Sequence, residues 1–184
     1  NDSATRFKGR PGLHKHFAWS ERLALPEIKA IGKVLGCSVN DLLLSAVAGA
    51  FRAYLVGKGD AVDGVEVRAM VPVNLRQPED EGKLGNRFGL VALVLPVGIE
   101  NPLARLYETR ARMESLKSSY QAALTLTVLG AVGVMPRLVQ QQVLDLLANK
   151  ATAVMTNVPA GVKEGVGPMG AFHHFRAYPT AEFR

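Results

Sequence analysis

The chain is 184 residues long, with 48% apolar and 21% charged residues, one cysteine and a formal net charge of +6. This length and balance suit one well-buried soluble core and exclude a disordered chain. Cys37, being alone, excludes an internal disulfide framework and any cysteine-based zinc site, and it fits a reducing compartment.

In chain order, residues 1–19 read as a linker arm with little periodicity. No charged-then-apolar leader follows Asn1, so no secretory signal is expected, and a chain without an initiator Met reads as a piece of something longer. Arg6, Lys8, Arg10, Lys15 and Arg22 lie on a Gly/Pro-containing segment that takes in this arm and makes it basic. Elsewhere Lys and Arg are interspersed with Glu, and no aromatic-plus-basic motif of the RNA-binding kind appears. The charge therefore points to anionic lipid or an anionic substrate such as a CoA ester, and argues against nucleic acid as a partner.

Pro26 suits a first helical turn, Ile28, Ile31, Val34 and Leu35 recur at helical spacing, and Gly36 supplies the stop. The stretch SVNDLLLSAVAGAFRAYL (38–55) reads as a buried helix ending at Gly57-Lys58-Gly59. Ser38 and Asp41 stand at capping-box spacing, and Asp41 also meets the positive end of the helix dipole. Asn40 is the alternative cap if the helix begins two residues later. Nothing there positions a nucleophile or a base, so the residue chemistry favours structural roles for Asn40 and Asp41 over catalytic ones.

VEVRAMVPV (65–73) alternates Val65, Val67, Ala69, Val71 and Val73, a half-buried strand by its period of two. Residues 75–86 form a polar loop. FGLVALVLP (88–96) is continuously apolar, which predicts a central strand covered on both faces. Asn101-Pro102 opens a long helix that lines up Leu103, Leu106, Met113, Leu116, Tyr120 and Leu124.

The 19 uncharged residues 118–136 are long enough to span a bilayer core, but Ser118, Ser119, Gln121, Thr125, Thr127, two glycines and Pro136 dilute them. A buried or interfacial helix is the better reading. A further helical stretch, broken at Pro136, runs to about Asn149, and ATAVMTNVP (151–159) reads as a third strand. Helices bracketing strands in this way give an α/β layering.

Of the four histidines, His14 and His16 lie on the arm, a poor scaffold for catalysis, and His173 and His174 lie in HHFRAYP, where no orienting carboxylate follows. No G-x-S-x-G elbow, P-loop or G-x-G-x-x-G after a strand is present. Neither a metal site nor a resident cofactor is expected.

The ordered set VNDLLLSAVAGAFRAYL, AMVPVNLR, GNRFGLVALVLPVG and MTNVP resembles the C-terminal half of the bacterial wax ester synthase/diacylglycerol acyltransferases. The resemblance covers roughly residues 1–159, and the arm TRFKGRPGLHKHFAWSERLALPEIKAI is similar to the segment joining the two halves in that family. It implies one half of a chloramphenicol-acetyltransferase-like two-domain fold, a mixed sheet covered by helices. The domains would be a linker arm (1–19), a C-terminal acyltransferase half-domain (20–159) and an irregular or atypical tail (160–184), where AGVKEGVGPMGAFHHFRAYPTAEFR departs from the family pattern.

The implied reaction transfers an acyl group from acyl-CoA, a substrate and not a cofactor, to diacylglycerol or a long-chain alcohol. Its general base belongs to a His-His-x-x-x-Asp-Gly motif in the N-terminal catalytic half, which this chain does not contain, so no catalytic residue is assigned here. The family's Asn-Asp pair falls on Asn40 and Asp41, its Gly-Asn pair on Gly85 and Asn86, and its segment near the channel floor on Thr156 and Asn157. The implied location is cytoplasmic, peripheral at the inner membrane or at lipid droplets. Two readings compete with it. One is a non-catalytic module that binds lipid or acyl chains. The other is a condensation-like domain using carrier-bound acyl groups.

Overall fold

The computed structural model describes residues 3–8, 20–21, 23–74, 88–117, 127–128, 130, 132–142 and 151–157. The elements are α1 (Leu25–Leu35), α2 (Val39–Gly57), β1 (Val67–Asn74), β2 (Phe88–Leu95), α3 (Pro102–Lys117) and β3 (Ala153–Val154). α1 starts with Pro26 in its first turn and stops at Gly36, whose φ of 65° is the left-handed conformation that ends helices. Its apolar spacing does not make a buried face: Ile28 and Leu35 are half-buried, while Ile31 and Val34 are exposed.

α2 opens on the expected capping box. Ser38 Oγ accepts from Asp41 N at 3.1 Å, and Ser38 N donates to Asp41 Oδ2 at 2.9 Å. Its length and apolarity match those of a membrane span. However, Asp41, Leu44, Ser45, Ala48 and Leu55 turn into the protein and Arg52 stands mid-helix. It is not buried all round, because Ala46, Ala50, Ala53 and Val56 are exposed. Small residues supply most of that outer face, which is why the stretch reads as continuously apolar.

β1 pairs antiparallel with β2, Val67 opposite Leu95 and Asn74 opposite Phe88, and parallel with β3, Ala69 beside Ala153. The order is β2-β1-β3, a mixed sheet. The central strand among the described residues is therefore β1, and not the 88–96 run. β2 buries Val91, Leu93 and Leu95 on one face but leaves Ala92 exposed on the other. β1 keeps its alternation, with Val67, Ala69 and Val71 all buried. The third strand is short: ladder pairing holds only Ala153 and Val154, extended by Thr152 N donating to Arg68 O and Met155 N to Met70 O, each at 2.9 Å.

Asn101 caps α3, its Oδ1 accepting from Leu103 N at 2.9 Å and Ala104 N at 3.0 Å. Leu106, Thr109 and Met113 form the buried face, Leu116 is partly buried and Leu103 is exposed; Tyr120 and Leu124 lie outside the described residues. The expected break at Pro136 is present, with helical turns on both sides of it. The core packs α2 and α3 against one face of the sheet through Leu44, Ala48, Leu55, Leu93, Leu95 and Met113.

Residues 3–8 join this core. Phe7 is buried with its ring centroid 4.8 Å from that of Phe51 and 5.4 Å from that of Tyr54. Arg6 pairs with Asp60 at 2.5 Å, and Ser3 N donates to Glu66 O at 3.1 Å.

Candidate functional site at one end of the sheet

Chain direction decides which motif residues can meet. β1 ends at Asn74, and β2 begins opposite it at Phe88, two residues after Asn86. Thr156 and Asn157 follow β3, which is parallel to β1, so they leave the sheet toward that same end. α2 runs the opposite way. Its Arg52 donates to Gly98 O at 2.9 Å in the turn after β2, whereas Gly36, just before the helix, lies beside Arg110 farther along α3. The entry of α2, with Asn40 and Asp41, thus lies on the Arg110 side of α3, away from the Arg52–Gly98 contact. Ligand sites of α/β sheets collect at the carboxyl ends of parallel strands. Gly85 and Asn86 themselves lie outside the described residues.

Asp41 is buried, and its two carboxylate oxygens fare differently. Oδ2 accepts from Ser38 N and from Ser38 Oγ, the latter at 2.7 Å. Oδ1 is buried with no hydrogen-bond partner among the described residues. The nearby guanidinium of Arg110 donates to Glu114 at 3.0 Å, and that bond is the main reason its pKa is raised, with lesser contributions from Cys37 and Asp41. Asn40 is half-buried, Thr156 half-buried and Asn157 exposed. Capping accounts for the position of Asp41 but not for its idle oxygen, a feature that sequence spacing had no means of signalling.

The opposite end of the layer is pinned by arginines that sequence reasoning missed. Arg105 Nη1 donates to Ile99 O at 2.9 Å and Glu100 O at 3.1 Å, and its Nε to Ser45 O at 3.3 Å. Burial first, and the neighbouring Arg52 second, hold its pKa below the usual arginine value. Arg112 bridges Glu66 at 2.8 Å and Glu108 at 2.6 Å, and donates to Val94 O at 3.1 Å. Burial opposes its charge, but these two carboxylates outweigh it and raise its pKa. An open depression of about 440 Å³ lies between residues 4–6 and 59–61, also at this end and away from the motif residues. Among the described residues no group of three His, Cys, Asp or Glu side chains could hold a metal ion. All four histidines lie outside the described residues.

Comparison with known proteins fits this architecture. Residues 84–166 match the WS/DGAT C-terminal domain, so the match enters the Gly/Pro-rich tail by seven residues beyond 159. A putative diacylglycerol O-acyltransferase of Mycobacterium bovis is 34% identical over 143 residues, 77% of this chain and 27% of that protein. A putative diacylglycerol O-acyltransferase of Mycobacterium tuberculosis is 32% identical over 164 residues, covering 79% of this chain and 35% of its own length. The chain thus spans about a quarter to a third of the curated relatives it matches. The solved wax ester synthase/diacylglycerol acyltransferase of Marinobacter aquaeolei VT8 superposes with a TM-score of 0.52 at 24% identity, over 75% of this chain and 30% of that one, a likeness of fold. Residues 84–166 thus carry the match to the WS/DGAT C-terminal domain, and over more than three quarters of its length the chain is similar to part of the diacylglycerol O-acyltransferases.

Proposed function

We propose that this chain is the C-terminal portion of an O-acyltransferase that moves an acyl group from acyl-CoA to diacylglycerol or a long-chain alcohol. The observation that carries the reading is the match of residues 84–166 to the WS/DGAT C-terminal domain, supported by relatives named diacylglycerol O-acyltransferase. In such a transfer the acceptor hydroxyl oxygen attacks the thioester carbonyl, the C–S bond breaks, and the hydroxyl proton leaves through a general base to the departing thiolate. The base must stand within hydrogen-bond reach of the hydroxyl on a rigid support. No described residue of this chain is assigned that role. Its contribution is a wall of the acyl channel, to which the motif positions Asn40, Asp41, Gly85, Asn86, Thr156 and Asn157 belong. The partners are acyl-CoA, a neutral-lipid acceptor and an N-terminal catalytic half.

The test is acyl-CoA consumption with hexadecanol or diacylglycerol, run on the purified chain with and without the N-terminal half of a full-length relative. No turnover by the chain alone and turnover on mixing is the expected result. General-base catalysis contributes roughly 10²–10⁴-fold, so its absence removes detectable activity. Turnover by the chain alone, abolished by His173→Ala or His174→Ala, would overturn the assignment of the base to the other half.

A further inference from the structure

The turn around Pro136 exposes large apolar side chains. Val134 is 88% and Leu138 79% exposed, and Met135 and Val139 stand out beside them. Scattered single apolar residues are ordinary on a surface, but a contiguous apex is not. Val132, just before the turn, is buried.

Several backbone groups of this apex are hydrogen-bonded within it. Gln140 Nε2 donates to Gly133 O at 3.1 Å and to Met135 O at 2.9 Å. Met135 N donates to Val132 O at 3.0 Å, and Val139 N to Pro136 O at 2.9 Å. Polar backbone groups are costly to carry into a water-poor medium unless they are bonded, and here the side chain of Gln140 ties off two carbonyls that would otherwise need water.

Charge selects the occupant. Residues 118–144 contain no Asp or Glu, and their one charged side chain, Arg137, sits at the apex, exposed and without an ion pair among the described residues. An apolar tip that carries one cation and no carboxylate complements an anionic lipid surface. Two copies of this chain meeting tip to tip would bring Arg137 against Arg137, with no Asp or Glu in residues 118–144 to offset the repulsion. We propose that the 132–142 turn is a lipid-docking apex that sinks Val134, Met135 and Leu138 into the boundary of an anionic lipid surface, with Arg137 at headgroup level.

The proposal stands apart from the acyl-transfer reading, because lipid docking is measured without substrate. The full 184-residue chain is co-sedimented with phosphatidylcholine vesicles, with and without phosphatidylglycerol. Val134→Asp/Leu138→Asp is expected to weaken binding on the order of tenfold with an unchanged melting temperature, since both side chains lose apolar burial in the lipid only. Arg137→Gln should weaken binding to the anionic vesicles by about fivefold and leave the zwitterionic vesicles unaffected. Ile31→Asp/Val34→Asp, on the exposed face of α1, should change neither. If the aspartate pair lowers the melting temperature, Val134→Ser/Leu138→Ser decides in its place. Wild-type vesicle binding by the apex variant overturns the proposal. So does equal loss through the α1 variant, or an apex variant that alters only the self-association of the chain.

Discussion

The guanidinium of Arg105 lies across the backbone of Gly49: a Cβ built on Gly49 would stand 2.6 Å from Nη2 and 3.1 Å from Cζ. α2 can approach α3 at this level because that glycine has no side chain, and the arginine uses the space to reach the carbonyls of Ser45, Ile99 and Glu100. A glycine inside a helix costs about 1 kcal/mol relative to alanine. Here that cost is offset by hydrogen bonds from a charged donor.

Arg105→Ala is therefore expected to lower the unfolding free energy by about 2 kcal/mol, the range for hydrogen bonds to charged groups. Arg105→Lys should recover little, because an ammonium lacks the fork that serves three carbonyls. Gly49→Ala should destabilise alone yet cost nothing further, or even stabilise, once Arg105 is already alanine. Urea denaturation of the double-mutant cycle measures this coupling. Additive single effects would show that the glycine does not serve the arginine.

Asp41→Ala removes the reciprocal half of the capping box, and an unfolding free energy lower by about 1 kcal/mol is expected. In a two-half enzyme, turnover should fall in step with the folded fraction. A variant with wild-type melting and no turnover would instead give Asp41 a direct role in the site, through the oxygen that has no partner in the described residues.

What the sequence made legible was local. Ser38 and Asp41 are three residues apart, Asn101 acts on the two amides just after Pro102, and the period-two pattern of Val67, Ala69 and Val71 repeats within one strand. Sheet order is a long-range property, so the apolar run of β2 misled: both faces are apolar, yet one leaves Ala92 exposed. The arginine contacts were equally invisible. Arg105 meets Ser45 across 60 residues and Arg6 meets Asp60 across 54, and such pairings leave no periodic trace. The family motifs marked candidate positions, whereas the idle oxygen of Asp41 came only from burial.

Phe7 gives the N-terminal segment a packing role that a single aromatic in an aperiodic stretch does not announce. Removing a buried phenylalanine ring costs about 3–5 kcal/mol in cores generally. Phe7→Ala is expected to cost about 3 kcal/mol, and Phe7→Leu markedly less. A loss below about 1 kcal/mol in urea denaturation would mean that the segment does not hold its place against Phe51 and Tyr54 in solution.

The ion pair beside that ring predicts a pH dependence. Hydrogen bonding from Arg6, followed by its charge, holds the Asp60 carboxyl below the ordinary aspartate value. A carboxyl lowered on folding stabilises the protein above its unfolded pKa of about 4, and that contribution drains away as pH falls through the lower folded value. Arg6 stays charged throughout this range, its own pKa being raised chiefly by the same bond. The melting temperature of the wild-type chain should therefore drop faster than that of Asp60→Asn between about pH 4 and pH 2, the two curves drawing together at the acid end. High salt should shrink the difference at neutral pH, since the pair is solvent-accessible and screened. Curves that stay parallel down the acid limb would show that the pair does not form in solution, leaving Phe7 and the Ser3–Glu66 hydrogen bonds to hold the N-terminal segment.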